Sequence, residues 1–65
     1  MADTLSKRRV SAINSVVIGH RRSLREAVKN FIDDPTDATR SKVEQLMDEY
    51  QTASVRLYIA KAEAA

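Results

Sequence analysis

Apolar residues, with one histidine among them, recur at alternating steps of three and four on both sides of Pro35, the only proline of the chain. This spacing places side chains on one face of an α-helix, whereas a half-buried strand would alternate with a period of two. The first series comprises Val10, Ile13, Val17, His20, Leu24, Ala27 and Phe31, and the second comprises Val43, Leu46, Tyr50, Ala53, Leu57, Ala60 and Ala64. Each series covers about three heptads, which predicts two helices that pack along these seams as in a coiled coil.

The segment Asp33-Asp34-Pro35-Thr36-Asp37 separates the two series. Proline is favoured at the first position of a helix, so we predict Asp34 as the N-cap and Asp37 at the third helical position. The predicted first helix then covers about residues 4–32, the corner residues 33–35, and the second helix about residues 35–63. A connection this short makes the helices antiparallel neighbours.

The predicted fold is therefore all-α, with residues 1–65 forming one antiparallel, coiled-coil-like helical hairpin. A chain of 65 residues is at the low end of what folds alone and usually needs a disulfide, a metal or a partner. It has no cysteine and one histidine, which excludes disulfides and a Cys/His zinc site. We expect no cofactor, and we expect the hairpin to complete a helical bundle by forming a homo-oligomer or by docking on a partner.

Several apolar residues fall outside both seams, namely Val16, Ile18, Val28, Ile32, Met47, Val55, Tyr58 and Ile59. In the folded register, Ile18, Val55, Tyr58 and Ile59 lie toward the end where the termini meet. A second apolar surface of this kind marks a protein interface, so we predict these four residues as the interface. The alternative is that they are ordinary scattered apolar residues on the surface.

The charge is divided between the two halves of the chain. Residues 1–30 carry seven basic and two acidic residues (+5), whereas residues 31–65 carry four basic and seven acidic residues (−3). The first helix therefore offers a candidate phosphate-binding stripe made of Arg8, Arg9, Arg21, Arg22, Arg25 and Lys29. Such a stripe is able to follow a nucleic-acid backbone, although no aromatic residues are interleaved for base stacking. The alternative is a solvated basic face with some pairing between the helices.

The sequence contains no catalytic constellation. His20 is the only candidate base, and its seam position predicts a half-buried histidine that is satisfied by Ser54 or Tyr58. No glycine-rich phosphate loop is present, and we expect neither an enzyme nor a small-molecule substrate. Gly19, within the first helix, is open to two interpretations: close approach by another helix, or a tolerated helix defect.

The length, the heptads and the tight corner resemble Rop-type hairpins, which dimerise into four-helix bundles and contact paired RNA loops with one face. Two functions follow. The first is a non-catalytic structural, assembly or protein-interaction subunit that acts by helix–helix packing, such as a component of a phage, a virion or a larger complex. The alternative is a small nucleic-acid-binding regulator, like a Rop dimer, that uses the basic stripe. The longest apolar run, Val16-Val17-Ile18, is too short to span a bilayer, so we expect a soluble, cytoplasmic or virion-associated protein.

Overall fold

The protein is an antiparallel pair of helices, described by a computed structural model for the backbone of residues 4–64 and the side chains of residues 6–64. Helix α1 covers Thr4–Asp33 and helix α2 covers Asp37–Ala64. The hairpin measures 51 × 14 × 11 Å. The prediction of an all-α helical hairpin is confirmed. Residues 1–3 and 65 of the predicted domain lie outside the described residues.

The corner differs from its prediction, because Thr36 is the N-cap of α2 and the prediction of Asp34 was wrong. The Thr39 backbone N–H donates to Thr36 Oγ1 (3.1 Å), and the Thr36 backbone N–H donates to Thr39 Oγ1 (3.0 Å). The Arg40 N–H donates to the Thr36 carbonyl (2.9 Å), which is the first helical bond. This reciprocal pair satisfies two N–H groups that the helix leaves unpaired. It places Pro35 before the cap, so α2 begins at Asp37 and not near Pro35.

The core lies along the seam between the two helices. Val17, Ala53 and Leu57 form a buried cluster, and Val10, Ile13 and Tyr50 pack against it. The nine seam residues singled out from the sequence are all buried or half-buried, and they are Val10, Ile13, Val17, Leu24, Phe31, Val43, Leu46, Tyr50 and Leu57. The register is visible near the termini, where Arg9 Nη1 lies 2.9 Å from Glu63 Oε1.

The half of the hairpin next to the corner, residues 22–50, contains less core than the other half. Ala27 and Leu46 are its buried apolar residues. The larger side chains of Leu24, Phe31 and Val43 remain half-buried, although they occupy seam positions. Two helices cover only part of the circumference of a large seam residue, so this half leaves apolar area in contact with water.

Candidate interaction surface

The hairpin has two long sides that flank the seam, and one of them is polar. Arg9 and Glu63 pair across this side near the termini. Ser23, Asn30 and Lys42 line one open groove near the corner, and Ser23 and Asn30 follow Arg9 by two and three heptads. Val16, one heptad after Arg9, is an exposed apolar residue of this side (54%) and lies farther from the corner, in a groove with His20 and Glu49. We call this surface the polar side.

The other side is defined by a groove near the termini that Asn14 and Lys61 line together. Val28 follows Asn14 by two heptads on α1, and Met47 precedes Lys61 by two heptads on α2. Residues separated by whole heptads lie on the same side of a helix. Val28 and Met47 therefore lie together on this second side, which we call the apolar side.

The apolar side carries a continuous hydrophobic surface next to the corner. Val28, Met47 and Ile32 are 37%, 44% and 71% exposed. A groove beside them is lined by Leu24, Val28 and Ile32, with Arg25 and Lys29 at its edge. We define the corner patch by Leu24, Val28 and Ile32 on α1 and by Val43 and Met47 on α2. The polar side has no comparable surface at this level among the described residues.

The four predicted interface residues do not share one side of the hairpin. Val55, Tyr58 and Ile59 are exposed, whereas Ile18 is half-buried. Tyr58 lies toward the apolar side, where its ring centroid is 5.8 Å from Lys61 Nζ. Thr52 lines a groove with His20 and Glu49 on the polar side. Ile59 lies one heptad after Thr52 and therefore lies toward the polar side.

The structure thus separates Tyr58 from Ile59, because neighbouring residues of a helix project about 100° apart. The corner patch was not singled out from the sequence as an interface. Its signal was present, since Val28 and Met47 occupy the heptad positions that flank the seam on one side. Only the pairing of the helices shows that these two positions adjoin each other.

The basic stripe on α1 is almost entirely exposed to solvent. Within the described side chains, Arg9 pairs with Glu63. No carboxylate oxygen of these side chains lies within 4.0 Å of the other five stripe residues. Those five residues are Arg8, Arg21, Arg22, Arg25 and Lys29, and all are exposed. The stripe is therefore a real concentration of positive charge on the outer surface of α1.

His20 contacts an acidic residue across the seam, and the prediction of Ser54 or Tyr58 as its partner was wrong. His20 Nδ1 lies 3.8 Å from Glu49 Oε1, with 31% and 43% of the two side chains exposed. This distance is too long for a hydrogen bond and fits a solvent-screened ion pair when the imidazole is protonated. Residues 6–64 contain no cluster of three or more His, Cys, Asp or Glu side chains that could hold a metal ion.

Gly19 has open space around it. A Cβ atom built on this residue meets no heavy atom of another part of the described chain within 4 Å. The hairpin itself therefore does not require a glycine for close approach of its own helices. Of the two interpretations left open above, a helix defect explains Gly19 within one copy of the chain.

The comparisons with known proteins give no relative for this chain. No family model, no curated protein and no solved structure matches it. Neither helix in residues 4–64 is both long and apolar enough to cross a membrane.

Proposed function

We propose that this protein is a non-catalytic assembly subunit that binds another protein through the apolar side of the hairpin. The observation that carries the proposal is the imbalance between core and surface. The buried apolar residues of the described chain are six, three of them alanines, whereas seven apolar residues of the size of valine or larger are exposed. A clustered apolar surface marks a protein-interaction site, and Leu24, Val28 and Ile32 line one groove at the corner patch, with Met47 at the neighbouring heptad position of α2.

The distribution of the exposed residues supports the same function. Val28, Ile32 and Met47 surround seam residues that are themselves only half-buried. A third or fourth helix laid on this side would cover both sets at once, which is how helical bundles bury large seam residues. The groove on the polar side is lined by Ser23, Asn30 and Lys42, and its apolar lining residues, Ala27 and Leu46, are already buried in the seam.

The test compares two aspartates on opposite sides of α1, five residues or about 7.5 Å apart along the helix axis. Val28→Asp adds a charge to the corner patch, whereas Ser23→Asp adds the same charge to the polar side. We expect association, measured by light scattering over a range of concentrations, to weaken by about tenfold or more in Val28→Asp and by less than about threefold in Ser23→Asp. If the unchanged protein self-associates, equal weakening in the two variants would contradict the use of the apolar side; if it stays monomeric, the same two variants are compared for binding of a different protein.

A second function, nucleic-acid binding, is favoured by one observation, namely the five exposed basic residues of α1 that form no ion pair within 4.0 Å among the described side chains, although Glu26 lies beside Arg22, Arg25 and Lys29. Arg8 and Arg22 lie two heptads apart on the outer face of α1, and neither is one of the five residues of the corner patch. If this function holds, Arg8→Glu with Arg22→Glu will abolish binding of a mixed-sequence RNA or DNA duplex at low salt. In the same experiment Val28→Asp will leave that binding intact, and the affinity of the unchanged protein will fall steeply as salt is raised.

A further inference from the structure

We infer that the corner patch docks a second copy of this chain, with α1 of each copy beside α2 of the other. The two-fold axis of this pair runs parallel to the long axis of the hairpin, so both corners lie at the same end of a four-helix bundle. The inference rests on the protein-interaction function proposed above and adds the identity and the orientation of the partner.

The surface area fits the loss of one interface per copy. The chain exposes 5081 Å². A compact folded monomer of 7.3 kDa exposes about 4200 Å², so the hairpin has roughly 900 Å² in excess. One partner in a standard protein–protein interface buries about 800 Å². Part of the excess reflects the elongated shape of the hairpin, 51 × 14 × 11 Å, and side-by-side packing of one second copy would bury an area of similar size.

The charges at the edge of the patch on α1 are basic. Arg25 precedes Val28 by three residues, and Lys29 follows it by one. Around the helix axis, Arg25 therefore projects about 60° and Lys29 about 100° farther from the seam than Val28 does. Both side chains are exposed, and both line the apolar groove with Val28. The α1 edge of the corner patch is therefore positive.

The charges at the corresponding positions of α2 are acidic. Glu44 precedes Met47 by three residues and Asp48 follows it by one, which gives them the same angular offsets as their basic counterparts on α1. Glu44 Oε2 is 3.9 Å from Arg40 Nε, but both side chains are 67% exposed, so this pair is weak. Arg40 lies one heptad before Met47, so the α2 edge carries two acidic residues and one basic residue and is negative in sum.

The patch has one positive edge and one negative edge. When two copies face each other across a two-fold axis parallel to the hairpin, the positive edge of each copy meets the negative edge of the other. The Arg9–Glu63 pair fixes the register, and counting from it places Arg25 level with Asp48, and Lys29 level with Glu44, to within one residue. In one chain these edges face away from each other across the patch. In the proposed pair they meet, and the symmetry forms each contact twice. Packing α1 against α1 would instead bring the basic edges together.

The first test reverses the edges separately and then together. The three variants are Arg25→Glu with Lys29→Glu, Glu44→Lys with Asp48→Lys, and all four changes in one chain. All four residues are exposed, so the hairpin should stay helical, which circular dichroism checks. At low salt we expect each double variant to dimerise about tenfold or more weakly than the unchanged protein, and the quadruple variant to recover to within about threefold.

The second test measures the orientation directly. The chain has no cysteine, so Asp34→Cys provides one spin-label site at each corner. In the proposed pair the two labels lie at the same end, at a separation well under half of the 51 Å length of the hairpin. An inverted pair would separate them by nearly that whole length.

Each outcome decides the inference. Recovery in the quadruple variant together with a short label distance supports it. The arrangement is overturned by a dimer that does not respond to either double reversal, by one that both double reversals weaken but the quadruple variant does not restore, or by a long label distance. A helical protein that stays monomeric at all concentrations overturns the second copy as the partner. In that case the proposed function stands if the Ser23→Asp variant binds a different protein and the Val28→Asp variant does not. It fails if the ligand is a nucleic acid.

Discussion

Thr36 and Thr39 each accept a hydrogen bond from the backbone N–H of the other at the start of α2, over 3.1 and 3.0 Å. Thr39 Oγ1 also donates to the Asp34 carbonyl (2.7 Å), which ties the corner to the first turn of α2. The corner is thus held by two threonine hydroxyls and by backbone groups, and no carboxylate takes part in these hydrogen bonds.

This arrangement predicts that Thr36→Ala lowers the free energy of unfolding by about 1 kcal/mol, because the Thr39 N–H loses its acceptor. Asp34→Ala keeps the backbone carbonyl that accepts from Thr39 and removes only a negative charge near the helix N-terminus. It should therefore lower the free energy of unfolding by about 0.3 kcal/mol. Urea unfolding followed by circular dichroism at one protein concentration measures both. A larger loss in Asp34→Ala than in Thr36→Ala would mean that the carboxylate is the cap after all.

The core predicts a strong contrast between two neighbouring positions of α2. Leu57 is buried against Val17 and Ala53, so Leu57→Ala should cost about 2–5 kcal/mol and remove most of the helical signal of so small a fold. Val55 is 58% exposed, and Val55→Ala should change the stability by no more than about 0.5 kcal/mol. Thermal unfolding of both variants provides the measurement, and similar losses would show that a partner also covers Val55.

Gly19 is expected to be replaceable. Because a Cβ atom there meets nothing within 4 Å, Gly19→Ala should raise the free energy of unfolding by up to about 1 kcal/mol through the higher helix propensity of alanine. It lies away from the corner patch, so the same variant should leave self-association unchanged. Weaker association in Gly19→Ala at equal helicity would show that another helix approaches this position.

The contact between His20 and Glu49 should contribute little to stability. The two groups are 3.8 Å apart and partly exposed, so Glu49→Gln should change the free energy of unfolding by less than about 0.5 kcal/mol. His20→Leu should raise it by about 1 kcal/mol, because a half-buried seam position gains apolar area. Chemical unfolding at pH 7 checks both. A loss of more than 1 kcal/mol in His20→Leu would be the contrary result and would assign the imidazole a role in the fold.

Much of the fold was accessible from the order of the residues alone. The two heptad series predicted both helices and the residues of the seam, since the 3.6-residue period of the helix links position in the chain directly to a face. Pro35 with its polar neighbours marked the corner, because a proline inside a helix is costly. The N-cap was misassigned because Asp34 and Thr36 are both good capping residues, and the choice between them depends on the path of the backbone at the corner.

The interaction surface depended on information that a single helix pattern does not contain. Heptad positions indicate that Val28 and Met47 flank their seams, but the register of the folded chain determines that the two residues adjoin on one side. The same pairing places Tyr58 and Ile59 toward different sides and sets Arg25 and Lys29 on one edge of the patch and Glu44 and Asp48 on the other. Local spacing therefore determines which residues form helices and which face inward. How exposed residues from the two helices combine into one surface is decided by the antiparallel packing, because it alone brings residues distant in the chain side by side.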